Sequence, residues 1–349
     1  MQMNLSNAMN EIRDERRNVG FDSYDITVKQ LVDMVAEGQI NISPDYQRRF
    51  VWDKPRQSQL VESIFLGIPI PSLFMATNDD SSWEVIDGLQ RLTTMINFVD
   101  HRIGKSNVVE GEPLRLRGMD KIPSLNGASF EELPANLKLS FLTRPIRITV
   151  LNDRSDHQVR FDLFERLNTG GIVLHEQEIR NCVFQGAFND FVKDCAKDER
   201  LENLIRRSDK HARGNVEELI LKFFAYFENR EDFRHSVKDF LNNYMDMKTR
   251  SFSNKKDLSD LFQKTIGVLH NALPNGIVRN ARPNSTPLIL FEAIIVGVAD
   301  ILNSGGTVDD NKLREIMDNE DLKVLTTGAT NSLPKLRDRI DFVASRVAV

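Results

Sequence analysis

Apolar and polar residues follow two different periods along the chain. In the front half, short β-branched runs such as Trp83–Ile86 end at glycine, proline or asparagine and predict strands. The residues after Gly88 change to the period of a helix, so we predict a strand, a tight turn and a helix over 89–99. The apolar positions of that helix are Leu92, Met95, Ile96 and Val99.

The same reading divides the chain into a mixed half and a helical half. In the front half the patterns predict helices at 26–37 and 55–66, strands at 72–77, 83–86 and 145–151, and short strands near Ile40 and Leu114. Ser155 opens a helix that ends at Asn168, with Gln158 in a capping box. From residue 175 onward the predicted elements are all helices, at 175–184, 186–197, 215–228, 231–247, 257–273, 287–303, 309–318 and 335–347. The predicted fold class is α+β, followed by an all-α half.

Composition excludes several classes of protein. A hydrophobic fraction of 40% and a charged fraction of 28% are ordinary for a globular protein. The net charge of −5 gives no global basic field, so any DNA contact needs a local patch. Basic clusters at 206–213, 248–256 and 279–282 lie in or near loops between helices, and such clusters are more often simply solvated.

Cysteine and histidine usage points to a reducing cytoplasm and away from metal sites. Cys182 and Cys195 form no C-x-x-C pair, and the six histidines do not have zinc-ligand spacing. The charged N-terminus does not read as a signal peptide. The longest apolar run, 287–299, is interrupted by Glu292 and is short for a membrane span, which favours a buried helix.

The turn at Asp87–Gly88 is the main candidate for chemistry. It sets Asp87, Gln90 and Arg91 at or near a helix N-terminus, where free N–H groups and the helix dipole favour an anion. Gly88 permits a sharp turn or a close approach to a ligand. The chain has no G-x-x-x-x-G-K-[ST] loop. Asp87 could accept from the ligand or hold Mg²⁺ through water, whereas the plainer alternative is an ordinary turn with a surface arginine.

Two further segments carry polar residues that suit a phosphate site. The run ISPDYQRRFVW at 42–52 contains Gln47 and Arg48, and a guanidinium can bind phosphate in bidentate fashion. The run FERLNTGG at 164–171 contains Arg166 and Asn168, and Glu178 follows in a short EIRN run. The alternatives are a loop arginine paired with an acid, a glycine helix cap, and Glu178 as a structural partner of Arg166.

Taken in order, these motifs resemble the N-terminal-domain family of the GmrSD-type restriction endonucleases, over roughly residues 20–185. The set comprises YQRRFVW, the helix LVESIFLGIPIPSLF, VIDGLQRLTT and FERLNTGG with its trailing EIRN. The resemblance implies a ParB/sulfiredoxin-like fold. We therefore expect a polar leader at 1–22, a nucleotide-binding domain at 23–185 and a helical domain at 186–349.

The resemblance also implies roles for individual residues. Asp87–Arg91 is similar to the family's DGQQR box, which in relatives serves nucleotide binding and hydrolysis, often of GTP. The sequence departs at Leu89, which we expect to pack inward, and this loss of a polar group bears on hydrolysis more than on binding. The implied catalytic residues are Asp87, Gln90 and Arg91, and the implied nucleotide-binding residues are Gln47, Arg48, Gly88, Arg166, Asn168 and Glu178.

Three functions compete at this point. The favoured one is a nucleotide-binding sensor, leaning towards an NTPase with GTP and Mg²⁺, in a bacterial system that recognises modified phage or foreign DNA. The alternative is a non-catalytic ParB-like module that binds DNA through the basic loops. Many relatives carry an HNH nuclease domain, but His270-Asn271 lacks the rest of that motif. A nuclease in this chain is therefore the weakest reading, and cutting would need a partner nuclease subunit.

Overall fold

The computed structural model describes residue 9 and residues 20–42, 50–78, 80–100, 113–152, 157–167, 175–206, 215–328 and 330–349. The chain divides into two compact units, Met1–Val173 and Leu174–Val349. Each unit is described by itself below. The boundaries predicted after residues 22 and 185 stay predictions.

The first unit is built on a five-stranded sheet whose strands come from separate parts of the sequence. The strands are β1 Phe21–Thr27, β2 Ile40–Asn41, β3 Leu73–Thr77, β4 Trp83–Asp87 and β5 Pro145–Leu151. Their order is β1-β5-β3-β4-β2, with β1/β5 and β3/β4 antiparallel and β3/β5 and β2/β4 parallel. The central position of β3 sets its first residues beside the end of β4, where the candidate box begins.

Helices bury their apolar stripes against this sheet. They are α1 Val28–Ala36, α2 Lys54–Leu66, α3 Leu89–Asp100, α4 Ala135–Leu142 and α5 His157–Leu167. The shared core includes Leu31 of α1, Val61 of α2, Met95 of α3 and Ile148 of β5, which have no exposed surface. Burial of such side chains is the main favourable contribution to folding, at roughly 1.5–3 kcal/mol each.

One predicted helix of the first unit starts two residues later than expected, and one predicted strand is wrong. The helix predicted from residue 26 begins at Val28, because the polar run Phe21–Thr27 pairs with β5 and Thr27 caps the helix. The strand predicted near Leu114 is absent from the described residues 113–122. Leu116 instead bonds locally, donating to the Ala128 carbonyl at 3.0 Å and accepting from Gly127 N–H at 2.8 Å.

In the described residues of the second unit, the regular elements are helices joined by loops. Its helices are α6 Glu176–Val183, α7 Ala187–Ala196, α8 Arg200–Leu204, α9 Asn215–Asn229, α10 Val237–Arg250, α11 Lys255–Ala272, α12 Leu288–Asn303, α13 Asp310–Glu315, α14 Glu320–Leu325 and α15 Leu333–Val347. The α+β class with a helical back half is therefore confirmed. The helix predicted from residue 231 starts at Val237, since 230–232 form a 3-10 turn, and α8 and α14 were not predicted.

The apolar run at 287–299 forms most of α12, and its prediction as a buried helix is confirmed. Within the described residues, no helix is both long enough and apolar enough to cross a bilayer.

Candidate functional site

The turn between β4 and α3 has the tight geometry that the sequence predicts. Gly88 adopts a φ of +99°, which residues with a Cβ rarely adopt. A Cβ at this position would lie 2.4 Å from Leu73 Cδ2 and 3.2 Å from Arg91 Nη2. The Gly88 carbonyl accepts the first bond of the helix, from Leu92 N–H at 2.9 Å. Only glycine fits this turn without backbone strain and a shift of the Leu73 side chain.

Asp87 and Arg91 form an ion pair one turn apart, with 2.6 Å between Arg91 Nη2 and Asp87 Oδ2. The Arg91 side chain is 11% exposed and that of Asp87 is 34% exposed, so the carboxylate faces solvent more than the guanidinium does. Arg91 Nη1 also donates to the carbonyl oxygens of Pro71 and Ser72, the latter at 3.2 Å. Arg91 thus joins the end of β4 to the residues that lead into β3.

The Gln90 side chain contacts a different segment, residues 51–52 before α2. Its Oε1 accepts from the backbone N–H groups of Val51 at 3.0 Å and Trp52 at 3.2 Å. The Trp52 carbonyl in turn accepts from Gln57 Nε2 at 2.9 Å, and Arg56 lies over the Trp52 ring at 4.8 Å. Residues 51–52 are therefore fixed between the first turns of α2 and α3.

Leu89 is half-buried and packs against the hydrophobic core, as predicted from its place on the apolar stripe. The box therefore has an apolar, inward-packed side chain at the position where the family motif has a glutamine.

Of the other predicted binding residues, three lie outside the described residues and two lie within them. The three outside are Gln47, Arg48 and Asn168. Arg166 is exposed in the last turn of α5, in the first unit. Glu178 belongs to the second unit, where its Oε2 accepts from His175 N–H at 2.8 Å in a capping box at the start of α6. The structure brings together Asp87, Gly88, Gln90 and Arg91.

Arg180, in the EIRN run, is fully buried inside the second unit. Its guanidinium donates to Asn242 Oδ1 at 2.9 Å and to Gln177, Glu176 and Glu218 at 3.0–3.2 Å. Arg180 therefore anchors α6 to its neighbouring helices.

Several cations of the predicted basic clusters are buried or paired, so the clusters present fewer unpaired positive charges at the surface than the sequence suggests. Lys248 is 7% exposed and pairs with Glu228 at 2.7 Å, and Arg250 pairs with Asp246 at 2.9 Å. Arg279 donates to Thr326 Oγ1 at 2.6 Å. The exposed cations that are left in the cluster at 248–256 are Lys255 and Lys256. Residues 207–213 lie outside the described residues.

Sequence reasoning missed two features of β4 and the turn that follows it. Besides Asp87, the acceptors of Arg91 are the backbone carbonyls of Pro71 and Ser72, which no side-chain motif predicts. Glu84 on β4 is 3% exposed, and a carboxylate inside the strand pattern WEVID was the signal that could have marked it. Within the described residues, no group of three or more His, Cys, Asp or Glu is arranged to hold a metal ion.

Comparison with known proteins supports the resemblance noted from the motifs. Residues 28–185 match the family model of the GmrSD restriction endonuclease, N-terminal domain. No curated protein and no solved structure matches the chain. The matched range contains the box at Asp87–Arg91 and ends two residues after α6.

Proposed function

Because residues 28–185 carry a GmrSD-type N-terminal domain, which links the chain to restriction systems, we propose that it is the nucleotide-binding sensor of such a system. GTP is the favoured nucleotide, and the system acts in the bacterial cytoplasm on modified or foreign DNA. The observation that carries the proposal is the turn at Asp87–Gly88, which opens the N-terminus of α3 inside the matched range.

The electrostatics of this turn suit a phosphate. The N–H groups of a helix's first turn have no partner within the helix, and the dipole adds partial positive charge. Gly88, at a φ of +99°, lets the backbone turn sharply from β4 into the start of α3. Arg91 neutralises Asp87, so the carboxylate beside the helix start does not repel an anion. These features support an anion site formed mainly by backbone.

Hydrolysis is the second part of the proposal. Asp87 is the group that would hold Mg²⁺ through water, since its carboxylate is one-third exposed at the turn. Gln47 and Arg48 keep the nucleotide-binding role that the family resemblance implies. Arg166 and Asn168 keep the binding role that the family resemblance implies, whereas Glu178 caps α6 within the second unit.

DNA cleavage is assigned to a partner nuclease subunit, and the nucleotide would bias the conformation that this partner recognises. A ligand that binds both conformations equally would shift nothing, so the proposal requires a difference in nucleotide affinity between them.

A thermal-shift screen of the full chain against GTP, ATP, CTP and UTP, with and without Mg²⁺, tests nucleotide binding. A ligand at one hundred times its Kd stabilises the native state by about 2.7 kcal/mol, which raises the Tm measurably. The Arg48→Ala variant should lose the rise. A rise of equal size in this variant would remove Arg48 from the site.

The alternative is a non-catalytic module that binds DNA through basic loops. No rise with any nucleotide would contradict the proposal. Retention on DNA that persists without nucleotide, and falls steeply between about 50 mM and 200 mM salt, would then favour the DNA-binding module.

A further inference from the structure

Both polar side chains at the start of α3 are turned back into the protein. Arg91 is nearly buried, and each of its two terminal nitrogens donates to a described acceptor. Gln90 uses its carbonyl oxygen on two backbone N–H groups. A side chain that contacts a phosphate presents donors to it, whereas the Arg91 terminal nitrogens donate to Asp87 and to backbone carbonyls, and the Gln90 oxygen accepts from backbone N–H groups.

Arg91 ties two strands together at the turn. Its Nη2 donates to Asp87, and its Nη1 donates to the carbonyls of Pro71 and Ser72. The planar fork of a guanidinium reaches three acceptors in fixed directions, whereas a lysine ammonium is a compact point charge. The Arg91 guanidinium also packs against Gly88, so Arg91 helps to fix the conformation of the turn.

Gln90 ties a third segment to the same turn. Its Oε1 accepts from two consecutive backbone N–H groups, those of Val51 and Trp52, just before α2 begins at Lys54. An amide oxygen is an acceptor and gains nothing from facing a phosphate oxygen. The atom that makes these two bonds is therefore committed to holding the entry of α2.

We infer that Gln90 and Arg91 are positioning residues: the Gln90 amide oxygen and the Arg91 terminal nitrogens brace the segments at 51–52 and 71–72 around the start of α3. Within the box, direct contact with the nucleotide is then left to the backbone at Gly88 and the first turn of α3, and to Asp87. This assignment rests on the proposed function, and it narrows the catalytic role that the family resemblance gives to all three polar residues of the box.

Gln90→Glu and Gln90→Ala test the first brace, with GTP as the probe and the full chain as the protein. Glutamate keeps an oxygen for both N–H groups, so the apo Tm of Gln90→Glu should stay near that of the wild type. Gln90→Ala loses both bonds, and we expect a lower apo Tm and roughly tenfold weaker GTP binding. Gln39→Ala, which removes an exposed side chain bonded to Glu37, is the matched control.

The inference for Gln90 is decided by which of the two variants, Gln90→Glu or Gln90→Ala, binds GTP more tightly. A brace predicts that Gln90→Glu binds GTP more tightly than Gln90→Ala. A direct phosphate contact predicts the reverse, because a new negative charge would repel the ligand while the apo Tm stayed high. The reversed order would overturn the inference for Gln90.

Arg91→Lys and Arg91→Ala test the second brace. If the fork matters, lysine should lower the apo Tm almost as much as alanine, and GTP affinity should fall with it. Arg115→Ala is the control, since Arg115 also pairs with a carboxylate, Glu132, and donates to a backbone carbonyl, that of Gly127. An Arg91→Lys protein with wild-type Tm and affinity, beside an Arg91→Ala protein that loses only affinity, would overturn the inference for Arg91.

The same set separates this inference from the proposed function. If the wild-type protein binds no nucleotide, the proposed function fails, and so does the part of the inference that concerns nucleotide. The apo Tm values still decide whether the two side chains brace the turn.

Discussion

Each unit contains a cluster of oppositely charged side chains, and the two clusters have different roles. In the first unit, Asp87 and Arg91 pair at the start of α3. In the second unit, alternating charges run across four helices. The pairs are Arg180–Glu218 at 3.2 Å, Glu218–Lys222 at 3.0 Å, Lys222–Glu292 at 3.5 Å and Glu292–Arg339 at 2.9 Å.

Exposure separates Asp87 from the Glu292–Arg339 end of the second cluster. The Asp87 carboxylate is 34% exposed, whereas Glu292 and Arg339 are 3% and 2% exposed, and Glu218 at the other end of that cluster is 30% exposed. A buried charge is tolerated only when it is paired and hydrogen-bonded, so Glu292 and Arg339 hold each other in place. The one-third-exposed carboxylate of the first cluster can still meet a ligand. Burial, more than residue type, therefore distinguishes a structural charge from a candidate site.

The largest expected effect comes from breaking the buried cluster at Glu292. Glu292→Ala leaves Lys222 and Arg339 without their shared carboxylate, and removing one partner of a buried pair costs about 3–5 kcal/mol. Urea unfolding should show this loss. Glu231→Ala, which breaks an exposed pair with Arg337, should leave the unfolding midpoint unchanged. Equal midpoints for Glu292→Ala and the wild type would contradict the comparison.

A smaller loss is expected at the turn of the first unit. Gly88→Ala puts a Cβ at a φ of +99°, against Leu73, and we expect a cost of about 2–4 kcal/mol from backbone strain and overpacking together. Gly38→Ala is a matched control, because Gly38 has a φ of +74° but no atom within 4 Å of a Cβ. The difference between the two variants in unfolding free energy measures the steric part. Two equal losses would show that Leu73 yields freely.

The sequence predicted the local features of the site and could not predict its long-range contacts. The strand, turn and helix around Gly88 were predicted because their patterns lie within some fifteen consecutive residues. The long-range partners of Gln90 and Arg91 are backbone groups 38–39 and 19–20 positions away, and any residue offers a backbone group. Nothing in the side-chain sequence could select them.

The sequence analysis missed two other features because the contacts that produce them join residues far apart in the sequence. The strand β1 reads FDSYDIT, and five of its seven residues are exposed, so the hydrophobic signal for a strand is weak. It forms because its backbone pairs with β5, which lies more than one hundred positions away. Arg180 stood beside Glu178 in a family motif, but its burial depends on helices that meet only in the folded second unit.

Acid should weaken the buried cluster progressively. Burial alone would raise the pKa of Glu218, but Lys222 and Arg180 outweigh it and hold this pKa below its ordinary value of 4.5. A carboxyl with a lower pKa in the folded state stabilises the fold above its unfolded pKa, and this contribution is lost as the pH falls through the folded pKa. We therefore expect the free energy of unfolding to decline below pH 4.5.

Urea unfolding from about pH 7 to about pH 3 measures this decline. Glu218→Gln should show a shallower dependence on pH, because the group that titrates is gone. Glu320→Gln, at an exposed position paired only with Lys323 three residues away, should follow the wild-type curve. A Glu218→Gln curve parallel to the wild type would remove Glu218 as the cause.

The smallest effect on stability is expected at the exposed cations. Lys255 and Lys256 lie in the first turn of α11, and replacing both with glutamate should leave the Tm and GTP affinity close to those of the wild type. Retention on DNA is the informative measurement. If the helical unit binds DNA through these two lysines, the double variant should lose retention at low salt and show a shallower salt dependence. Unchanged retention would show that Lys255 and Lys256 do not carry the DNA contact.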